Sequence, residues 1–207
     1  RWRAHLPTKA TRKGGIIDTL APGSACPQLP SALSDDAAPG RVTVGNEDCL
    51  FMNIYAPPNA ANAPVMFWLH GGGNTIGESA RYSGENLAMK HGVVVVTINY
   101  RLGLFGWFSH PSLSTGSPKD DSGNYGTLDV IRGLEWVRNN IEGFGGNPAN
   151  VTLFGESAGA FDTLAMMASP LAEGLFHRAI VQSGGFQTTP MSVARNTENN
   201  GGHAFSS

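Results

Sequence analysis

Apolar residues recur along this chain in short runs, separated by glycine-containing loops and by longer segments of mixed polarity. The runs predict β-strands at residues 50–55, 65–69, 93–98, 151–154 and 179–181. The last four runs are apolar on both faces, which is typical of strands that are covered on both sides. The pattern therefore predicts a sheet whose strands are mostly buried.

The segments between these runs have helical spacing. Apolar residues three and four positions apart form one stripe over residues 128–141, and Gly143 follows as a C-terminal stop. Residues 157–168 are almost wholly apolar or small, which predicts a buried helix that Pro170 ends, and residues 87–91 end another helix. Strands that alternate with helices favour an α/β fold, with a mostly parallel sheet and helices on both faces.

The chain divides into three parts. Residues 1–40 are rich in Pro, Ala, Ser and Gly and predict irregular surface chain, residues 41–190 hold the predicted sheet core, and residues 191–207 form a polar tail. The chain starts at Arg1 without a recognisable signal segment, so we expect an excerpt of a longer protein. Residues 1–207 are accordingly expected to be one incomplete domain.

Composition excludes several classes of protein. The 207 residues include 14 Lys and Arg against 16 Asp and Glu, for a net charge of −2, and no basic patch indicates nucleic-acid binding. No apolar run approaches the roughly 20 residues of a membrane-spanning helix. The six histidines lack metal-ligand spacing, so we expect neither a metal nor another cofactor. Cys26 and Cys49 allow one disulfide or two free thiols, and the count alone favours thiols.

A candidate catalytic serine lies between a predicted strand and a predicted helix. Residues 155–159 read Gly-Glu-Ser-Ala-Gly, and they follow the apolar run 151–154. This strand–turn–helix setting is the one in which such a turn exposes a serine hydroxyl at the edge of a sheet. The alternative is a glycine-rich turn that contains Ser157 incidentally. The context favours a nucleophile at Ser157.

A second glycine motif follows the predicted strand 65–69. Residues 70–73 read His-Gly-Gly-Gly, and glycines let backbone N–H groups approach and stabilise the oxyanion of acyl transfer. A plain glycine loop and a phosphate-binding loop are the alternatives. A phosphate loop needs a Lys-Ser/Thr pair after its glycines, whereas Asn74 and Thr75 follow here. The residue after the nucleophile, Ala158, is the expected further donor.

Six segments of the sequence resemble those of type-B carboxylesterases, the carboxylesterase/cholinesterase family. They are residues 47–55 (Glu-Asp-Cys-Leu-Phe-Met-Asn-Ile-Tyr), 69–73, 99–103 (Asn-Tyr-Arg-Leu-Gly), 123–129, 144–159 and 182–184 (Gln-Ser-Gly). The resemblance implies part of an α/β-hydrolase fold and carboxylic ester hydrolysis through an acyl-serine. A non-catalytic fragment, or a binding or adhesion member of the same fold, is the alternative, although such members commonly lose the serine.

The resemblance also implies roles for particular residues. Ser157 corresponds to the nucleophile, and Gly72, Gly73 and Ala158 to the oxyanion N–H donors. The two cysteines correspond to the family's first disulfide, which reverses the expectation from their count. The resemblance further implies a salt bridge between Arg1 and Glu47. It also implies that the catalytic acid and histidine lie beyond this chain.

Several further residues are weaker candidates. The base must follow the serine in this fold, but His177 precedes a strand and His203 lies in the polar tail, so neither fits, and Glu173 and Glu198 do not fit as the acid. For His70 we expect a local hydrogen bond that shapes the glycine turn.

The remaining expectations concern substrate, location and assembly. Residues 27–48 contain no aromatic side chain, so we do not expect a choline-ester specialist. The expected partner is a small-molecule carboxylic ester. A disulfide requires an oxidising compartment, so we expect export, either secreted or periplasmic. Asn150 begins a glycosylation sequon, but its position beside a strand disfavours modification. The sequence does not indicate an oligomeric state.

Overall fold

One sheet and the helices around it make up the part of the chain that the computed structural model describes, namely residues 2–4, 19, 21–34, 42–186, 188, 190 and 192. The strands are β1 (Met52–Tyr55), β2 (Ala63–Leu69), β3 (Val94–Ile98), β4 (Gly146–Glu156) and β5 (Arg178–Gln182). The α-helices are α1 (Glu85–His91), α2 (Gly103–Gly106), α3 (Tyr125–Asn140) and α4 (Ala158–Ala168).

The strands lie in the order β1-β3-β2-β4-β5, and every neighbouring pair except β1 with β3 is parallel. β1 is antiparallel to the other strands. Only residues 56–62 join it to β2, whereas a crossover between parallel strands needs a dozen residues or more. The prediction of a mostly parallel sheet is confirmed. The parallel strands β2 and β4 bring their carboxyl ends to the same edge of the sheet.

Helices cover both faces of the sheet, as predicted. On one face, Phe67 of β2 and Ile98 of β3 lie against Gly133 of α3, where an added Cβ would be 3.0 Å and 3.4 Å from their side chains. On the other face, Val95 of β3 contacts Gly84, the residue that precedes α1. Large side chains that are fully buried include Phe67 and Leu69 of β2, Leu153 of β4, and Tyr125 and Leu134 of α3, so part of the core lies between the sheet and α3.

The predicted end of α3 was wrong. The helix ends at Asn140 and continues into a tighter turn over Ile141–Phe144. Gly145, with φ 78°, is the left-handed residue that terminates this turn, whereas Gly143 has no positive φ. Ile141 continues the apolar stripe of the helix, so the spacing alone could not separate the turn from the helix.

Three strand predictions need correction. β1 is shorter than the run 50–55, because Leu50 and Phe51 are 46% and 39% exposed and lie outside the ladder. β4 is longer than predicted, because Gly146 pairs with Ala63 ahead of an irregularity in the ladder.

The third correction concerns the run 179–181, which was expected to be covered on both sides. In the structure Ile180 and Val181 are 45% and 37% exposed. β5 is the outermost strand of the described sheet and pairs only with β4, so its side chains have a neighbouring strand on one side alone.

A buried ion pair fixes the loop that follows β3. The guanidinium of Arg101 donates to both carboxylate oxygens of Asp129 on α3, at 2.7 Å and 2.6 Å. The same guanidinium donates to the carbonyl of Arg3 at 2.9 Å. This pair joins the start of the chain, the loop after β3 and α3, and so it fixes the position of the neighbouring Tyr100.

Candidate active site

Ser157 lies on the sharp turn between β4 and α4. Its backbone angles, φ 53° and ψ −119°, are rarely adopted by residues other than glycine and cost about 1–3 kcal/mol. The surrounding structure holds this conformation from both sides. The N–H of Ser157 donates to the carbonyl of Gln182 at the end of β5 (2.9 Å), and its carbonyl accepts from Ala160 (2.9 Å) and Phe161 (3.1 Å).

The two glycines of the turn leave no room for a side chain. A Cβ on Gly155 would lie 2.3 Å from the carbonyl oxygen of Gly159. A Cβ on Gly159 would lie 2.1 Å from the carbonyl oxygen of Leu69, the last residue of β2. Both distances are far below normal van der Waals contact, so the start of α4 packs directly on the end of β2. A side chain is therefore excluded both two residues before and two residues after Ser157.

The glycine loop, residues 70–77, follows β2 and passes beside the serine turn. A Cβ on Gly71 would lie 3.3 Å from the Cβ of Ser157, so the loop begins in contact with the serine. Gly72 has φ 112°, and its carbonyl accepts from the N–H of Ile76 at 3.1 Å, which closes the loop on itself. The structure therefore brings together the two motifs that the sequence singled out separately.

Three backbone N–H groups near the serine have no hydrogen-bond partner among the described residues. Within the described residues, no hydrogen bond is donated by the N–H of Gly72, Gly73 or Ala158. The N–H of Ala158 also belongs to the first turn of α4, where the helix dipole favours negative charge. N–H groups without a protein partner beside a serine hydroxyl are the kind of donors that the oxyanion of acyl transfer requires.

His70 is buried beneath the loop and shapes it. Its Nδ1 donates to the carbonyl of Gly71 at 2.8 Å, as expected from the sequence. Its ring stacks on Tyr100 at 4.4 Å between centroids, and the Tyr100 hydroxyl donates to the His70 carbonyl. Burial, partly offset by the Gly71 carbonyl, lowers the pKa of His70 to about 4. A neutral imidazole therefore supports the loop at physiological pH.

The disulfide is present and its loop contacts the glycine loop. Cys26 and Cys49 are joined, with both residues buried. Gln28, inside the closed loop, makes two hydrogen bonds to Gly77: its Nε2 donates to the carbonyl (2.9 Å), and its Oε1 accepts from the N–H (2.7 Å). Gln28 also pairs through its backbone with Val44. The disulfide loop thereby holds the far end of the glycine loop.

The other candidate residues are not brought to Ser157. His177 lies at the opposite end of the sheet, where its Nδ1 accepts from the N–H of Val151 at 3.1 Å, and Glu173 is exposed beyond α4. Arg1, Glu198 and His203 lie outside the described residues, so the Arg1–Glu47 salt bridge stays a prediction. The part of the chain that is described contains no cluster of three potential metal ligands and no helix long and apolar enough to span a membrane.

Sequence reasoning missed a buried polar pair. The Nδ2 of Asn74, in the glycine loop, donates to Oδ1 of Asp162, on α4, at 3.2 Å. Burial raises the pKa of Asp162 to about 7, against the lowering effect of the Asn74 hydrogen bond. A signal was available, because Asp162 is the only charged residue in the predicted helix 157–168. Its partner could not be identified from spacing, since 88 positions separate the two residues.

Comparison with known proteins gives consistent matches. The model of the carboxylesterase family matches residues 1–205. The chain is 42% identical to para-nitrobenzyl esterase of Bacillus subtilis over 200 residues, which cover 95% of this chain and 40% of that protein. It is 48% identical to fumonisin B1 esterase of Sphingopyxis macrogoltabida over 210 residues, covering 97% of this chain and 36% of that protein.

A solved structure agrees with these matches. A structure of PNB esterase superposes with a TM-score of 0.84 at 40% identity, covering 96% of this chain and 40% of the other, so the predicted α/β-hydrolase fold is confirmed in part of its length. The chain spans less than half the length of the curated relatives it matches. On the family match and these identities, the chain belongs to the carboxylesterase family.

Proposed function

We propose that the whole protein hydrolyses carboxylic esters and that Ser157 is its nucleophile. The observation that carries the proposal is the contact between Gly71 and Ser157, which sets the unpartnered N–H groups of the glycine loop beside a strained serine turn. Membership of the carboxylesterase family supports the same reaction class. The named relatives are esterases of differing substrates, which supports the class but not one substrate.

The reaction follows from this arrangement in two steps. The Oγ of Ser157 attacks the ester carbonyl, and the N–H groups of Gly72, Gly73 and Ala158 hold the oxyanion that forms. Collapse expels the alcohol and leaves an acyl-serine, which water hydrolyses through a second oxyanion at the same place. Each donor of this kind stabilises the transition state by roughly 3–4 kcal/mol.

The serine also needs a base, and a group that orients the base. No described histidine contacts Ser157, so we propose that both groups come from chain outside the described residues. On this view residues 41–190 form the sheet core of one hydrolase domain, with 1–40 as surface chain and 191–207 leading into its remainder.

Substrate preference is proposed only by class. A quaternary ammonium is bound by aromatic faces, and residues 27–48 supply none. We therefore propose uncharged small-molecule esters as substrates. A whole protein that turns over choline esters as efficiently as neutral short-chain aryl esters would contradict this preference.

Hydrolysis of p-nitrophenyl butyrate by the whole protein tests the proposal. We expect Ser157→Ala to lower kcat by roughly 10⁴-fold or more, because the nucleophile is lost while the oxyanion donors remain. Ser169→Ala, just past the other end of α4, is the matched control and should retain activity. Turnover that survives in Ser157→Ala would reject Ser157 as the nucleophile, and a folded wild type with no turnover would favour the binding-type alternative.

The disulfide is compatible with export, and we propose that the protein acts outside the reducing cytoplasm, secreted or periplasmic. Alkylation of the denatured protein, recovered from cells and from medium, distinguishes the two states by mass. Free thiols at Cys26 and Cys49 in the functional pool would contradict this location.

A further inference from the structure

The Asn74–Asp162 pair joins the two parts of the candidate site. Asn74 lies one residue after Gly73 in the glycine loop, and its carbonyl accepts from the N–H of Gly103 at 2.6 Å. Asp162 lies five residues after Ser157, on α4, with 5% of its surface exposed. Their hydrogen bond of 3.2 Å is therefore a direct side-chain link between the loop and the helix that starts at the nucleophile.

Each side chain of the pair has one buried oxygen without a partner. The Oδ1 of Asn74 and the Oδ2 of Asp162 make no hydrogen bond in the described structure. Both are acceptors when the carboxyl is ionised, so neither can satisfy the other, and an unsatisfied buried polar atom is costly. A single proton on Oδ2 changes this, because Oδ2–H can donate to the amide oxygen. A carboxylic acid and an amide can form two antiparallel hydrogen bonds, and such a pair would satisfy both oxygens.

The surroundings of Asp162 favour the protonated form. No described cation pairs with it. Tyr100, which is close enough for the charge of Asp162 to raise its pKa, is neutral and donates its hydroxyl to the His70 carbonyl, and the His70 ring stacked on Tyr100 is neutral as well. Charged groups on the elements around α4 are either paired or exposed. The pairs are Arg101 with Asp129, Arg132 with Glu135, and Arg178 with Asn150. Glu156 and Glu173 are exposed. Burial raises the pKa of Asp162 to about 7, which agrees with a proton held near neutral pH.

We propose that Asp162 carries a proton and, through a double hydrogen bond to Asn74, positions the glycine loop against the nucleophile helix. Asp162 is a positioning residue, because it acts through the loop and does not touch the substrate. Loss of the proton at higher pH replaces the second hydrogen bond by two facing acceptor oxygens, which loosens the loop. The expected effect on turnover rests on the proposed ester hydrolysis, whereas the protonation of Asp162 does not depend on it.

The first experiment detects the proton without any turnover. Infrared difference spectra of the whole protein between about pH 6 and about pH 9 should show a protonated-carboxyl band that disappears as Asp162 ionises. Asp162→Asn should remove this band, and Asp48→Asn, at an exposed carboxyl, should leave it unchanged. A wild type whose spectrum contains no band sensitive to Asp162→Asn overturns the proposal, whether or not the protein hydrolyses esters.

The second experiment measures what the proton does for turnover. In wild type, kcat for a p-nitrophenyl ester should fall by about tenfold over the same pH range, with KM changing less, because the loop acts in the transition state. Asp162→Asn keeps two hydrogen bonds to Asn74 but cannot titrate, so its kcat should stay level above neutral pH. The exchanged pair, Asn74→Asp with Asp162→Asn, should restore the fall.

Asn74→Ala is a second variant in case Asp162→Asn does not fold. It leaves α4 unchanged and removes the partner, so kcat should be lowered by about tenfold below neutral pH, with little further change above it. A kcat equal to wild type in Asn74→Ala, or an alkaline fall that persists in Asp162→Asn, rejects the positioning role. If wild type shows the infrared band but no turnover, the proposed function is rejected, whereas the protonated Asp162–Asn74 pair is supported.

Discussion

Replacing Gly159 by alanine perturbs the contact between the start of α4 and the end of β2, where the glycine loop begins. The added Cβ would lie 2.1 Å from the carbonyl oxygen of Leu69 and 2.8 Å from that of His70. Real Cβ atoms essentially never come closer than 3.0 Å, so α4 and the end of β2 must separate by about 0.9 Å. Both neighbours are backbone atoms, which cannot rotate away as a side chain would. The substitution therefore displaces Ser157 relative to the glycine loop.

Two measurements on the whole protein follow from this displacement. We expect Gly159→Ala to lower the free energy of unfolding by about 1–3 kcal/mol. We expect kcat/KM to fall by roughly 10²-fold, the effect of misplacing reacting groups by about 1 Å. Gly143→Ala is the matched control, since an added Cβ there meets nothing within 4 Å and the φ is not positive. If Gly159→Ala matches Gly143→Ala in both quantities, the close packing of α4 on β2 has been misjudged.

Three other perturbations have defined outcomes in urea unfolding of the whole protein. Replacing Cys26 and Cys49 by serine should cost about 3 kcal/mol in unfolding free energy, since the bond closes a loop with a separation of 23 residues, and an unchanged midpoint would contradict this. Asp129→Ala leaves the guanidinium of Arg101 without its carboxylate partner and should lower the unfolding free energy by about 3–5 kcal/mol. A decrease below about 1 kcal/mol would show that the pair is effectively solvated. Asp162 binds its proton more tightly in the folded state, with a pKa raised from 3.8 to about 7, so its contribution to stability is present below about pH 4 and is lost as pH rises to about 7. The loss is roughly 4 kcal/mol, and the same pH slope in Asp162→Asn would contradict it.

The sequence was sufficient where a feature depends on neighbouring residues. The strain on Ser157 and the exclusion of bulk at Gly155 follow from five consecutive residues between a strand and a helix. The apolar stripe of α3 follows in the same way, because the periodicity of one helix determines which of its faces is buried.

The sequence was insufficient where a feature depends on the assembled sheet. The exposure of Ile180 results from the position of β5 at the outer edge of the described sheet, which an apolar run does not encode. The length of β4 results from its pairing with β2. The Gln28–Gly77 and Asn74–Asp162 hydrogen bonds join residues 49 and 88 positions apart, so only the fold reveals them.

Mass-spectrometric mapping of a fluorophosphonate adduct tests directly whether Ser157 is the activated nucleophile. The whole protein is treated with the probe, digested, and the modified serine identified in the peptide that contains residues 155–159. We predict one adduct per chain at Ser157. The adduct should not form when the protein is denatured before treatment, nor in Ser157→Ala. An adduct at a different serine would contradict the assignment of Ser157. So would protein that hydrolyses esters but whose Ser157 does not react with the probe.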